Sequence, residues 1–177
     1  WSSDVCSSDL AIFPYDVLKG RIGYRSSMSK QELDVVQAQW NALPNYVGDS
    51  NVLPMVDSSG SMTCPAGGYN SKSGLTCLEV AVSLGLYFAD KNTGKFKDTF
   101  LTFSNTPKLV ELKGNINDKI NQMNTGEVAN TNLHAAFKLI LDVAVKNNVP
   151  QAEMPETLVI FSDMQFDQGV SRDESAI

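Results

Sequence analysis

Hard oxygen donors gather at three places in this chain. In DSSGSM, residues 57–62, Asp57, Ser59 and Ser61 stand at alternate positions behind the apolar run Val52 to Val56. Thr131 precedes Asn132 at the head of a periodic apolar segment, and Asp163 follows the apolar run Thr157 to Phe161. Carboxylates and hydroxyls suit Mg²⁺, with Mn²⁺ as the alternative ion, in an octahedral shell that keeps several waters. Neutral hydroxyl ligands leave part of the ion's charge unquenched, so a carboxylate from outside can replace one water. That is binding chemistry and requires no turnover. Any one of these residues would serve equally well as an ordinary turn or helix-cap residue. Their convergence from separate segments is what points to a metal site at Asp57, Ser59, Ser61, Thr131 and Asp163.

These donors need strand tips and helix starts to hold them. Val52 to Val56 is apolar on both faces and reads as a central strand, with Pro54 predicting a bulge or a missing ladder bond. Residues 11–28 read as an irregular lead-in, interrupted by Pro14, Gly20 and Gly23. Ser29 and Glu32 form a capping-box pattern ahead of Leu33, Val36, Trp40 and Leu43 at helical spacing, a helix expected to dock on the sheet through Trp40. The glycine-rich segment Cys64 to Gly74 is read as a surface loop beside the site, since no Gly-Lys-Ser/Thr unit makes it a P-loop. Leu75 to Ala89 is apolar nearly all round and predicts a buried helix. Asp98 to Ser104 predicts a second strand, and the half-polar run Lys108 to Lys113 an antiparallel edge strand. A short helix follows with Ile116, Ile120 and Met123 inward. A longer one carries the stripe Leu133, Ala136, Phe137, Ile140, Leu141 and Ala144 for packing on the sheet, and Thr157 to Phe161 supplies the last strand. Alternation of strands and helices with one hairpin predicts an α/β fold: a Rossmann-like open sheet, mostly parallel with one antiparallel edge strand, flanked by helices.

The chain has 177 residues and a formal net charge of −6, room for one domain and no basic face for nucleic acid or anionic membrane. No apolar run reaches the roughly 20 residues that span a bilayer. Cys6, Cys64 and Cys77 form neither an even framework nor a close ligand pair, which favours free thiols in a reducing, cytoplasmic setting; a Cys64–Cys77 disulfide is the other arrangement the sequence allows. Residues 1–10, WSSDVCSSDL, resemble the translation of a sequencing-library adapter, so the native chain is expected to begin near Ala11. Discounting Asp4 and Asp9 moves the charge from −6 to −4.

Enzyme chemistry is less well supplied. His134 shares a helix face with Lys138 and Asp142, opposite the apolar stripe, and reads as a solvated histidine. Ser59 lacks a Gly-x-Ser-x-Gly elbow. Asp57 as the nucleophile of a Mg²⁺-dependent phosphohydrolase is the enzyme alternative, although Ser59 stands where such hydrolases use a second aspartate. Gln165 and Asp167 are loop positions near the last tip.

Given DSSGSM, the Thr131-Asn132 pair in ANTNLHAAF and Asp163 in VIFSDMQFD, the chain resembles a von Willebrand factor A domain with its metal-ion-dependent adhesion site. AQWNALPNY, DSSGSM and FSDMQFD look most like the intracellular TROVE-like group, relatives of the A domain of Ro ribonucleoproteins that include uncharacterised phage, plant and fungal proteins. The resemblance spans roughly residues 38–167. It implies direct metal contact by Ser59, Ser61 and often Thr131, with Asp57 and Asp163 acting largely through water. It departs from many A domains at Met164, where a glycine often follows the aspartate, and in lacking the last two strands and their helices. It therefore implies a lead-in and helix over 11–50, an incomplete A domain over 51–177, and an apolar edge left open beside the last strand. The implied activity is capture of a protein partner's Asp or Glu, without catalysis and without a membrane. RNA binding would belong to a helical-repeat region not found in this sequence. A structural module with an unused site is a third reading.

Overall fold

A computed structural model describes residues 12–23, 27–68, 70–125 and 132–163. It begins with α1, Pro14–Leu18, inside the segment read from sequence as irregular. Pro14 does not interrupt the chain there: it occupies the first helical turn, where no backbone donor is needed and the ring's fixed φ favours the helix. Val17 and Leu18 are buried. Helix α2, Lys30–Asn41, starts at the Ser29/Glu32 capping box as expected. The Ser29 hydroxyl accepts from the Glu32 N–H at 3.3 Å, and the Glu32 carboxylate accepts from the Ser29 N–H at 2.9 Å.

Strand β1, Val52–Val56, is buried along its whole length. Helix α3, Cys77–Lys91, opens with its own capping box, Thr76 and Glu79. Strand β2, Thr99–Thr102, turns into the short strand β3, Leu109–Glu111, and helix α4, Ile116–Met123, buries Ile116, Ile120 and Met123 as the spacing predicted. Helix α5, Leu133–Lys146, leads to strand β4, Thr157–Phe161. The sheet order is β3-β2-β1-β4, with β1 parallel to both β2 and β4 and β3 antiparallel at one edge. The fold is an α/β open sheet flanked by helices, mostly parallel with one antiparallel edge strand.

Alternation along β1 separates two cores. Val52 and Val56 face a cluster filled by α1, α2, α3 and α4, including Leu18, Trp40, Val82, Leu86 and Ile120. Leu53 and Met55 face the opposite cluster, where Ala136 and Ile140 of α5 pack with Leu101 and Phe103. Two expectations need correcting here. Trp40 docks helix on helix: its ring meets Tyr87 of α3 edge-on at 6.3 Å, and its indole N–H donates to Asp90 at 3.3 Å. An indole carries a polar N–H that needs a partner, and the side chains of α3 supply one where a β-sheet face would not. In α5, Ala136, Ile140 and Ala144 pack inward, whereas Phe137 and Leu141 are 49% and 58% exposed. The apolar stripe is wider than the arc a single sheet face can cover.

Pro54 has a local explanation. The β1–β4 ladder runs through it in register from Val52↔Thr157 to Val56↔Phe161, so there is no bulge. The β1–β2 ladder holds only Met55↔Leu101 and Val56↔Thr102. Asp57 N–H donates to Phe161 O on the β4 side, and Val56 O accepts from Phe103 N–H on the β2 side. Backbone alternation therefore turns the Pro54 nitrogen toward β2. The next pair in register, Pro54 with Phe100, would need a donor on that nitrogen, so the ladder ends there.

Helix α3 lies directly on β1. A Cβ added to Gly85 would sit 2.3 Å from Val56 Cγ2 and 3.4 Å from Met123 Sδ. Only a residue without a side chain permits that approach.

Candidate functional site

The chain leaves β1 through α3 on one face to reach β2, and returns through α5 on the other face to reach β4. β1 is thus flanked by strands whose connections run on opposite faces. In open α/β sheets the crevice at such a point, beyond the carboxyl ends of the strands, is where ligands bind. Asp57 and Asp163 lie on either side of it, each just past the end of its strand.

The register Val56↔Phe161 makes Asp57 and Ser162 neighbours across the two tips. Asp57 is 2% exposed, and both its carboxylate oxygens accept hydrogen bonds. Oδ1 takes the Ser59 N–H at 2.8 Å and Oδ2 takes the Ser162 hydroxyl at 2.9 Å. The first bond folds the loop back on itself. The second ties the β1 loop to the β4 loop.

Ser59 Oγ lies 3.0 Å from Ser61 Oγ. A 3₁₀ turn, Gly60–Thr63, brings the two hydroxyls to one side, and Met62 pins it by burying its side chain in the larger core. Burial falls from Asp57 (buried) through Ser59 (half-buried) to Ser61 (exposed), so the set opens toward solvent. Ser58 is held from behind, its hydroxyl 3.1 Å from Thr125 Oγ1 at the end of α4.

Asp163 lies two residues past the end of β4. Its Oδ1 is buried and has no hydrogen-bond partner among the described residues. A buried carboxylate oxygen left in that condition costs free energy unless a donor or cation satisfies it. Its charge reaches α3: the Cys77 thiol is pushed up from its ordinary value of 9.0 by burial first, then by the Cys64 sulfur and by Asp163. Thr131, and with it Met164, Gln165 and Asp167, lies outside the described residues, as does Cys6. Its neighbour Asn132 caps α5, accepting from Ala135 N–H at 2.9 Å, and donates its own N–H to Ser104 O at 3.5 Å. The start of α5 therefore abuts the end of β2.

The donor set fits a hard cation. The Ser59 and Ser61 hydroxyls and the Asp57 and Asp163 carboxylates are hard oxygen donors of the kind magnesium takes, and among the described residues no three His, Cys, Asp or Glu side chains come together as a metal cage. Sequence reasoning passed over Ser162, the clamp on Asp57, and Ser104, whose buried hydroxyl is unpartnered among the described residues at the tip of β2. For both, the signal was a hydroxyl directly behind an apolar strand, the same cue that marked Asp57. His134 is exposed, and Lys138 pairs with Asp142 at 3.1 Å one turn further on.

No solved structure matches this chain. The uncharacterized protein L728 of Acanthamoeba polyphaga mimivirus is 32% identical over 148 residues, which cover 80% of this chain and 24% of that relative. The chain thus spans about a quarter of the length of the curated relative it matches. No helix among the described residues is long and apolar enough to cross a membrane. The family profile described as "Domain of unknown function (DUF7788)" matches residues 51–176, well over half of the 177, and the chain belongs to that family.

Proposed function

We propose that this chain is a binding domain of the von Willebrand factor A type, with TROVE-like relatives, that holds Mg²⁺ or Mn²⁺ at its strand tips and captures an acidic group of a protein partner. The observation that carries the reading is the cluster of Asp57, Ser59 and Ser61 at the β1 tip, tied through Ser162 to the β4 tip, where Asp163 Oδ1 is buried with no partner among the described residues. Ser59 and Ser61 would touch the ion, Asp57 and Asp163 would neutralise it largely through water, and Thr131 is assigned to the same shell from its motif. Exposure of Ser61 leaves room for a carboxylate to replace water. A net charge of −6 suits this division of labour, because a bound cation offsets the repulsion between an acidic domain and an acidic ligand. The proposed setting is the cytoplasm, and no catalysis is assigned.

Calorimetric titration with Mg²⁺ and Mn²⁺, paired with binding of Asp- or Glu-bearing peptides, tests the proposal. The wild type should bind the ion and, in its presence, the acidic peptide; Asp57→Ala should lose both while staying folded by circular dichroism. Absence of ion binding to the folded wild type would sink the reading in favour of a structural module. Phosphatase turnover abolished by Asp57→Asn would replace it with the hydrolase.

A further inference from the structure

We propose that Cys64 and Cys77 form a reversible thiol–disulfide pair that staples the loop leaving the Ser59/Ser61 turn to the start of α3. The sequence favoured unrelated free thiols. The structure has both thiols free, but with their sulfurs 3.4 Å apart and both residues half-buried.

Backbone register brings them there. The segments 64–66 and 75–77 run antiparallel, with a bridge between Pro65 and Thr76. One step outward on each arm, Cys64 and Cys77 stand directly opposite, and Cys77 N–H donates to Cys64 O at 2.9 Å. One step inward, Ala66 N–H donates to Leu75 O at 2.8 Å. Directly opposed residues of antiparallel strands have Cα atoms about 4.5–5.5 Å apart, inside the roughly 4.4–6.8 Å that a disulfide spans. Bringing the sulfurs from 3.4 Å to bonding distance needs only a small side-chain rotation on a backbone already in place.

The oxidant is a low-molecular-weight disulfide such as glutathione disulfide. One cysteine thiolate attacks a glutathione sulfur, forming a mixed disulfide and expelling one glutathione thiolate. The opposing cysteine thiolate then attacks the protein-bound sulfur, forming the Cys64–Cys77 bond and expelling the second glutathione. Two protein thiols are oxidised, one disulfide is reduced, and the two thiol protons pass to the departing glutathiones. Excess reduced glutathione reverses both steps. Cys64 follows the Gly60–Thr63 turn directly, and Cys77 is the first residue of α3. The bond would fix that turn against the helix under oxidising conditions and release it under reducing ones. This inference does not depend on metal binding.

The test uses the chain with Cys6→Ser, which removes the one competing thiol. After incubation with glutathione disulfide and blocking of remaining thiols, trypsin cuts at Lys72 between the two cysteines. The expected product is peptide 31–72 joined to peptide 73–91, separated by reductant. Cys64→Ser or Cys77→Ser should leave the other cysteine as a glutathione adduct. Pair formation should be on the order of tenfold faster in the native protein than in urea, because the fold holds the sulfurs as neighbours. Separate glutathione adducts on both cysteines, linkage between molecules, or linkage no faster in the native state than in urea would each overturn the proposal.

Discussion

Gly85→Ala puts the packing of α3 on β1 to a test whose sign is informative. In a helix interior, alanine for glycine is ordinarily favourable by about 1 kcal/mol. Here the added Cβ would stand 2.3 Å from Val56 Cγ2, with Met123 Sδ at 3.4 Å behind it. Carbon atoms pack at about 3.5–4.0 Å, so helix and strand must separate by more than about 1 Å or Val56 must leave its rotamer. Val56 and Met123 are 2% and 0% exposed, so neither has open space to move into. Overpacking of this kind costs about 1–3 kcal/mol, and so close an approach belongs at the upper end. After the propensity gain the net loss is about 2 kcal/mol. For a chain of this length that lowers the thermal midpoint by about 4–8 °C. Urea denaturation of the wild type, Gly85→Ala, Val56→Ala and the double variant measures it. Removing the Val56 methyls should absorb part of the damage, so the double variant should be less destabilised than the sum of the singles. A Gly85→Ala variant as stable as the wild type, or strict additivity in the cycle, would refute the reasoning.

Asp163→Asn should leave the stability of the metal-free protein equal to or slightly above that of the wild type, because it removes the charge from a half-buried side chain whose Oδ1 has no partner among the described residues. The same variant should lose the rise in thermal midpoint that Mg²⁺ gives the wild type; a variant less stable than the wild type in chelator would contradict this. Glu79 is buried and accepts from Gly20 N–H at 2.7 Å, Thr76 N–H at 2.8 Å and the Thr76 hydroxyl at 3.1 Å, joining the end of α1 to the start of α3. Glu79→Ala should therefore cost about 2–3 kcal/mol in urea midpoint analysis, with Glu79→Gln retaining much of it; a loss below about 0.5 kcal/mol would show the clamp to be idle. Burial raises the Cys77 thiol above 9.0, so the folded state holds this proton more tightly than the unfolded chain. That contribution is complete below the ordinary thiol value and is lost as pH rises through the raised one. Between neutral and alkaline pH under reductant, Cys77→Ser should lose less stability than the wild type, and parallel profiles would count against the assignment.

Much of the molecule was legible locally. Ser29 with Glu32 marked the start of α2, and alternation in Lys108 to Lys113 marked β3 as a half-buried edge. Such signals lie within a turn of helix or a few residues of strand, which is the range over which caps and periodicity act. Pro14 was misread because proline breaks a helix interior but starts a helix well, and its position relative to α1 was not fixed by its neighbours in sequence. Trp40 carried the right burial with the wrong partner, since periodicity says which face is inward and is silent on what lies there.

The sequence by itself determined that Asp57, Ser59, Ser61 and Asp163 follow apolar strands, and their proposed part, with Thr131, in holding a cation rests on that placement. Strand order decided the rest. Placing β4 beside β1 brought Ser162 onto Asp57 and left Asp163 Oδ1 buried without a partner among the described residues. The same order turned the bare nitrogen of Pro54 toward β2, where it ends a ladder, and antiparallel register set Cys64 opposite Cys77. These are relations between backbone segments that are not neighbours in the chain. They depend on which donors and side chains face one another once the sheet closes, and a linear pattern does not carry that information.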